Sequence, residues 1–516
     1  MMPVIKNEDD VIETSADGVR KAWKEYFKKL LNKENGRVEL DEVAPTNSHV
    51  EHVSKEEVWE AINGMDASKA PGPSGVTLNM IKALGPYGTE LAFKLVEKIW
   101  TEERIPADWQ NSVTVPIFKG KGDVLSPGNY RGIKLLEQLM KVMEKIIAQR
   151  IRSMAVIDDM QMGFQAGKGT RDAIFALRLM QEKYLEKQRT MYHAFIDLEK
   201  AYDSVPRETI WWSMRRKQIP EKLVRLTKAM YEGAKTCVKS THGLSDEFEI
   251  KVGLHQGSAL SPLLFSIILD ELAKEVKWGM PMELLYADDL AICSNSKEEL
   301  QSRLLNWQSA LEKGGLKMNA KKTVVMVSGS DEILSIKDVH GQVLEQVKEF
   351  KYLGSLVSAK GGCADEIRER VKAAWASWKK VAGVVCDKKM PKDLKGRVYK
   401  AVVRPALLYG SECWALNKGD VQKLNTTEMR MIRWWMCVSL KEHRMSDDIR
   451  RDANIDQTVS ALYSQRKQGW YNKVMHQVPQ LQLRNILELN VEGRRKRGRP
   501  RKRWTDGLQV LDLPPS

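Results

Sequence analysis

The sequence predicts an α+β fold, and two patterns carry that reading. Between residues 191 and 327 short apolar strands alternate with helical segments. Beyond about residue 360 the pattern turns mostly helical and rich in tryptophan. A hydrophobic content of 42% with 29% charged residues fits a globular chain able to bury a large core.

Taken in order, residues 1–53 are polar and read as a linker segment with one helix near Val19–Leu31. In that helix Trp23, Phe27 and Leu30 share a face. Ser54-x-x-Glu57 is a capping signal, followed by Val58, Ile62 and Met65 at helical spacing. Ala70–Gly75 (APGPSG) is a rigid turn, and Lys119–Gly122 and Gln165–Gly169 are glycine-rich loops. Ala173, Leu177, Met180 and Tyr184 line one helix face. Strands are predicted at Tyr192–Leu198, Glu283–Tyr286, Leu290–Cys293 and Thr323–Val327, and helices at Pro262–Val276 and Lys297–Lys313. Trp375, Trp378, Trp414, Trp434, Trp435 and Trp470 read as core or helix-packing residues, and residues 481–516 as a basic, disordered tail.

The net charge of +15, with a pI near 9.3, points to a polyanionic partner, most simply nucleic acid. None of the six cysteines falls in a CxxC pair, which fits a reducing compartment. Cys413, Cys437 and His443 match no compact zinc finger. Residues 1–14 are acidic and unlike a signal peptide, and the longest apolar run, Ala259–Leu269, is too short to span a bilayer. The expected location is nucleus and cytoplasm, without membrane.

Two adjacent aspartates, Asp288 and Asp289, interrupt the apolar run Leu284–Ile292. On a regular strand one of them would be buried, so a hairpin with both near its tip is the better arrangement. Asp197 ends another apolar run, Ala194–Ile196. If the two strands pair, three carboxylates gather, an all-oxygen set suited to Mg²⁺. An Asp-Asp pair alone is more often an exposed turn.

The order of motifs changes that weighting. Phe195–Asp203 (FIDLEKAYD), Gly253–Pro262 (GLHQGSALSP) and Tyr286–Asp289 (YADD) resemble the central motifs of reverse transcriptases. Gly315–Thr323 and Phe350–Gly354 are similar to the two motifs that follow them, and Lys69–Gly75 and Asn129–Ile133 to the finger motifs of the non-LTR (LINE-type) retrotransposon branch. The resemblance runs from about residue 54 to 480 and includes a thumb-like stretch, Arg404–Glu412.

What the resemblance implies is a right-hand polymerase: fingers over 54–190, palm over 191–345, and primer grip with helical thumb over 346–480. It implies two Mg²⁺ ions, with Mn²⁺ as the alternative. Asp197 and Asp288 would be the principal ligands, Asp289 a lesser one and the Leu198 carbonyl a further one. Tyr202 would crowd a 2′-hydroxyl and favour deoxynucleotides, although without the motif core packing is its simpler role. Gln256 and Gly257 would lie beside the nucleotide, and Arg131 and Lys119 would hold the triphosphate, with Lys121 a rival to Lys119. Lys322, with Lys321 as rival, would be the general acid for pyrophosphate. Phe350, Tyr352, Leu353 and Gly354 would grip the primer. His255 reads as structural or RNA-contacting. Gly132 stands where proline is frequent, which is expected to change loop stiffness.

Arg497-Gly498-Arg499-Pro500 resembles an AT-hook, with a nuclear-localisation signal or nonspecific phosphate-binding tail as the alternative. The implied partners are an RNA template, a DNA primer or nicked target DNA, and deoxynucleoside triphosphates. Relatives usually carry an upstream endonuclease, and the short segment before the fingers leads to the expectation of a partial element protein. The rival readings are a silent or host-adopted RNA- or DNA-binding remnant and an RNA-dependent RNA polymerase.

Overall fold

The computed structural model describes residues 2–476, 482–498 and 500–509, and helices and sheets are mixed along them in the α+β manner. The chain forms two compact units whose segments interleave. One comprises Met1–Phe164, Asp197–Lys277 and Leu305–Asn319, the other Gln165–Ile196, Trp278–Leu304 and Ala320–Ser516.

In the first unit, strand Asn111–Phe118 pairs antiparallel with Tyr130–Leu135 and parallel with Lys235–Ser240. The helix Ala16–Leu30 starts at Ser15, whose hydroxyl accepts from the Gly18 N–H at 3.0 Å. Its Trp23 and Phe27 are buried with Tyr130, Val238 and Phe248, and Trp23 meets Tyr130 edge-on at 5.0 Å. Residues expected to be a linker thus belong to this unit's core, where each buried aromatic is worth roughly 1.5–3 kcal/mol.

That packing explains Gly132. The residue lies within a strand, not a loop, and a Cβ there would stand 2.5 Å from the Phe27 ring. The capping box at Ser54 forms, with Ser54 and Glu57 exchanging hydrogen bonds of 2.9 and 3.1 Å. Arg150 grips the Glu57 carboxylate through two bonds of 2.8 and 2.7 Å, tying helix Lys55–Asn63 to helix Gln138–Met154. The apolar run Ala259–Leu269 lies largely in helix Ser261–Ala273, buried on nearly every face. Among the described residues no helix is long and apolar enough to cross a membrane.

The second unit is built on a five-stranded sheet. Its order is Glu345–Gln346, Val324–Ser328, Met191–Ile196, Asp289–Ser294, Glu283–Tyr286. The central strand, Met191–Ile196, is buried throughout. His193 within it has Nε2 3.0 Å from the Ser328 hydroxyl, and burial drives its pKa down to about 3, so the ring is neutral.

The helical part has Trp378 stacked on Trp435 at 5.9 Å, and Trp414 and Trp470 are also buried. Trp434 is instead 63% exposed. Glu428 is buried and accepts from Arg404 at 2.9 Å and from the Tyr399 hydroxyl at 3.2 Å. The tail also departs from expectation. Gln482–Glu488 is helical and Trp504 is only 2% exposed. A buried aromatic is one of the contacts that hold a polar segment which composition alone marks as disordered.

Candidate active site

Strand register gathers the motif residues at one end of the second unit's sheet. Leu290 pairs with Ile196, and Asp289 with Tyr286 across the two-residue turn Ala287-Asp288. Asp288 and Asp289 therefore stand at the end of the sheet where Ile196, the residue before Asp197, closes the central strand. Val324 pairs with Phe195, which brings the start of its strand, just after Lys321 and Lys322, to the same end. Both lysines are exposed, and nothing in the register selects between them. Ala287 takes a positive φ of 55°, a strained conformation for alanine that lets the hairpin close in two residues.

The primer-grip residues form a second hairpin, Glu349–Tyr352 with Ser355–Ser358. Its turn, Leu353-Gly354, has φ of 47° and 82°. The Tyr409 hydroxyl donates to the Leu353 carbonyl at 2.7 Å, and Arg370 donates to the Gly354 carbonyl at 3.0 Å. Phe350 stacks on Phe195 at 4.3 Å, two residues from Asp197. Tyr352 is buried, which pushes its hydroxyl pKa far up, and the Asp289 charge adds to the push.

In the first unit, Asp197 to Glu199 run against Lys317–Asn319. Asn319 N–H donates to the Asp197 carbonyl at 2.8 Å, and Glu199 N–H donates to the Lys317 carbonyl at 2.8 Å. Leu198 faces Met318 between these bonds. In that antiparallel pattern the Leu198 carbonyl is directed away from the 317–319 segment. Tyr202 stacks on Phe265 at 4.4 Å, with Phe164 edge-on at 6.4 Å.

Gln256 Nε2 donates to Asp203 Oδ1 at 2.8 Å, while the Gln256 carbonyl accepts from the Lys134 N–H at 2.7 Å. Gly257 has φ of 118°, and a Cβ there would lie 2.6 Å from the Lys134 carbonyl. No other residue permits that approach. The Lys134 side chain is buried, and its ammonium has no hydrogen-bond partner among the described residues. Burial pushes Lys134 down and Asp203 up, and the attraction between their charges opposes both shifts.

Lys134 and Asp203 received no role from sequence reasoning. A signal was available for Lys134. Strand alternation with Arg131 outward places Tyr130, Gly132 and Lys134 inward. Arg131 is indeed exposed. Lys119 Nζ donates to the Gly128 carbonyl at 2.9 Å, bracing the finger loop, and Lys121 is exposed. His255 is buried and stacked on Tyr231 at 4.3 Å, which favours its structural role. In the tail Arg497, Gly498 and Pro500 are exposed, and Arg499 lies outside the described residues.

The carboxylates offer a hard, all-oxygen donor set of the kind Mg²⁺ prefers. Among the described residues no group of three or more His, Cys, Asp or Glu side chains is already close enough to hold a metal ion.

Residues 118–357 match the family described as reverse transcriptase (RNA-dependent DNA polymerase). The probable RNA-directed DNA polymerase from transposon BS of Drosophila melanogaster is 26% identical over 407 residues, covering 74% of this chain and 45% of that protein. The RNA-directed DNA polymerase from mobile element jockey of Drosophila funebris is 24% identical over 434 residues, 78% of this chain and 47% of that one. The retrovirus-related Pol polyprotein from type-2 retrotransposable element R2DM of Drosophila melanogaster is 28% identical over 341 residues, 60% of this chain and 31% of that one. The chain thus spans less than half the length of these curated relatives. Among solved structures, a telomerase of Candida tropicalis with a fragment of telomeric RNA aligns over 81% of this chain and 68% of its own. Its TM-score is 0.39 at 13% identity, too loose a likeness to place any residue.

Proposed function

We propose that this chain, which carries a reverse transcriptase domain of the non-LTR retrotransposon kind, is an RNA-directed DNA polymerase with a right-hand fold. It extends a DNA 3′-hydroxyl along an RNA template, using deoxynucleoside triphosphates. The reading is supported chiefly by the strand register that sets Ile196, the residue before Asp197, opposite Leu290, the residue after Asp288 and Asp289.

Asp197 and Asp288, with Asp289 and the Leu198 carbonyl, would hold two Mg²⁺ ions, or Mn²⁺ in their place. Bound there, the ions supply activation of the 3′-hydroxyl and charge neutralisation at the departing pyrophosphate. Arg131 and Lys119 take the triphosphate, and Gln256 and Gly257 line the nucleotide. The Tyr202 ring, braced by Phe265, crowds a 2′-hydroxyl. Lys322 protonates the pyrophosphate. Phe350 to Gly354 support the primer end, held by Phe195, Tyr409 and Arg370. The natural primer is nicked target DNA, and the chain works in nucleus and cytoplasm.

The test is primer extension on an RNA template with Mg²⁺ and deoxynucleotides. The chain should extend the primer, and an Asp288→Ala, Asp289→Ala variant should not. A folded chain that binds the hybrid without extending it would instead be a binding protein derived from such an element. Ribonucleotides incorporated faster than deoxynucleotides would make it an RNA polymerase.

A further inference from the structure

The basic run near the C-terminus is laid on the second unit and tied at both ends. Upstream, helix Gln482–Glu488 buries Leu483 and Ile486. Lys183 Nζ donates to the Leu487 and Leu489 carbonyls at 2.7 and 2.8 Å. Gln188 donates to the Arg494 carbonyl at 3.0 Å, and Gly493 passes so close that a Cβ would stand 2.6 Å from the Lys187 carbonyl.

Downstream, the Trp504 ring lies 4.6 Å from Phe175, and its indole N–H donates to the Glu412 carbonyl at 2.7 Å. The Trp504 backbone N–H donates to the Glu182 carboxylate at 2.9 Å. Arg501 donates to the Lys360 carbonyl at 2.9 Å. Between these anchors Arg494, Arg495, Lys496, Arg497, Arg501, Lys502 and Arg503 are all exposed. Arg495 is partly neutralised by Glu186 at 2.9 Å.

The strap crosses the end of helix Thr170–Glu186 and the turn leading into Met191. The aspartates stand at the other end of the central strand, six residues on, or about 20 Å away at strand rise.

We propose that residues 494–498 and 500–503 form a fixed phosphate-binding rail for double-stranded DNA, separate from the site at the aspartates. Duplex DNA carries a charge every ~1.7 Å of axis, more than a single strand, so a row of exposed cations releases most counterions there. Anchoring at both ends removes much of the ordering cost that a loose arm incurs on binding. It also keeps Arg497, Gly498 and Pro500 from threading freely into a minor groove, so the rail reads phosphates and not A·T content. The inference rests on the nucleic-acid part of the proposed function and not on catalysis.

The test is fluorescence anisotropy of the full chain with a 30-base-pair DNA duplex across a salt series. It is run also in the Asp288→Ala, Asp289→Ala background, so that failure of the polymerase reading leaves it interpretable. The Arg494→Gln, Lys496→Gln, Lys502→Gln variant alters only exposed side chains. It should lower the slope of log K against log salt by about 2.7, at ~0.9 per lost contact. Between 50 and 200 mM salt the original chain should then lose about 40-fold more affinity than the variant. Duplexes rich in A·T and in G·C should bind alike. An unchanged slope overturns the rail. A tenfold A·T preference makes the segment an AT-hook instead, and displacement of DNA by lower concentrations of RNA makes RNA the partner.

Discussion

Removing the Asp203 carboxylate should unsettle the strand that carries the finger motif. In Asp203→Ala the buried Lys134 ammonium loses its compensating charge and Gln256 loses its 2.8 Å acceptor. Breaking a buried charge pair from one side costs about 3–5 kcal/mol. Lys134→Met should cost a similar amount, because it strands Asp203. With both charges removed, the Asp203→Ala, Lys134→Met variant should be about 1–3 kcal/mol more stable than the sum of the single losses. The Lys134 N–H, bonded to the Gln256 carbonyl at 2.7 Å, reports this locally. A loss of ~3 kcal/mol speeds its hydrogen exchange about 150-fold if it exchanges through opening of this region. The apparent KM for deoxynucleotides should rise in Asp203→Ala, since the Gln256 loop is no longer held. Single losses that add to the double within ~0.5 kcal/mol would refute the coupling.

Gly132→Ala should destabilise the first unit by about 1–3 kcal/mol through overpacking against Phe27. Phe27→Leu in the same chain should return part of it, read by exchange in strand Asn111–Phe118. The pH dependence combines opposite signs. His193 is held at about 3, below its ordinary ~6.5, so its unfolded form takes the proton first and stability falls as pH drops. Between pH 7 and 5 this costs about 2 kcal/mol. Burial raises Glu182 to about 7, so its folded form takes the proton first and gains about 2 kcal/mol over the same interval. Exchange in strand Met191–Ile196 should therefore change little from pH 7 to 5, whereas Glu182→Gln should lose about 2 kcal/mol. An unaltered profile in that variant would show that Glu182 does not supply the offset.

The aspartate hairpin was legible because its determinants are local. Two apolar strands flank a two-residue turn, and pairing Asp289 with Tyr286 follows from that spacing alone. The Ser54 capping box was legible for the same reason. What local pattern cannot supply is the use made of a helix face or a lone aromatic. Trp23 and Phe27 announce an apolar face, but their partners Val238 and Phe248 lie more than 200 residues on. Trp504 sits in a run of cations, and residues far upstream, Phe175, Glu182 and Glu412 among them, make it an anchor. The interleaving of the compact units, which exchange segments at 164, 196, 277, 304 and 319, was not legible, because composition does not shift at those points. Lys134 and Asp203 were passed over because each is ordinary in sequence, and the burial that makes each charge costly and the other its compensation comes from segments about 70 residues apart.

The distance between Trp23 and Phe248 also has a cost during synthesis. At roughly 5–20 residues per second, about 10 to 45 s separate their emergence from the ribosome. Until Tyr130 and Gly132 emerge, helix Ala16–Leu30 presents Trp23 and Phe27 with no native surface to receive them, and Val238 and Phe248 complete that surface last. Synonymous changes that slow translation before residue 248 prolong that exposure and should lower soluble yield without altering the finished molecule.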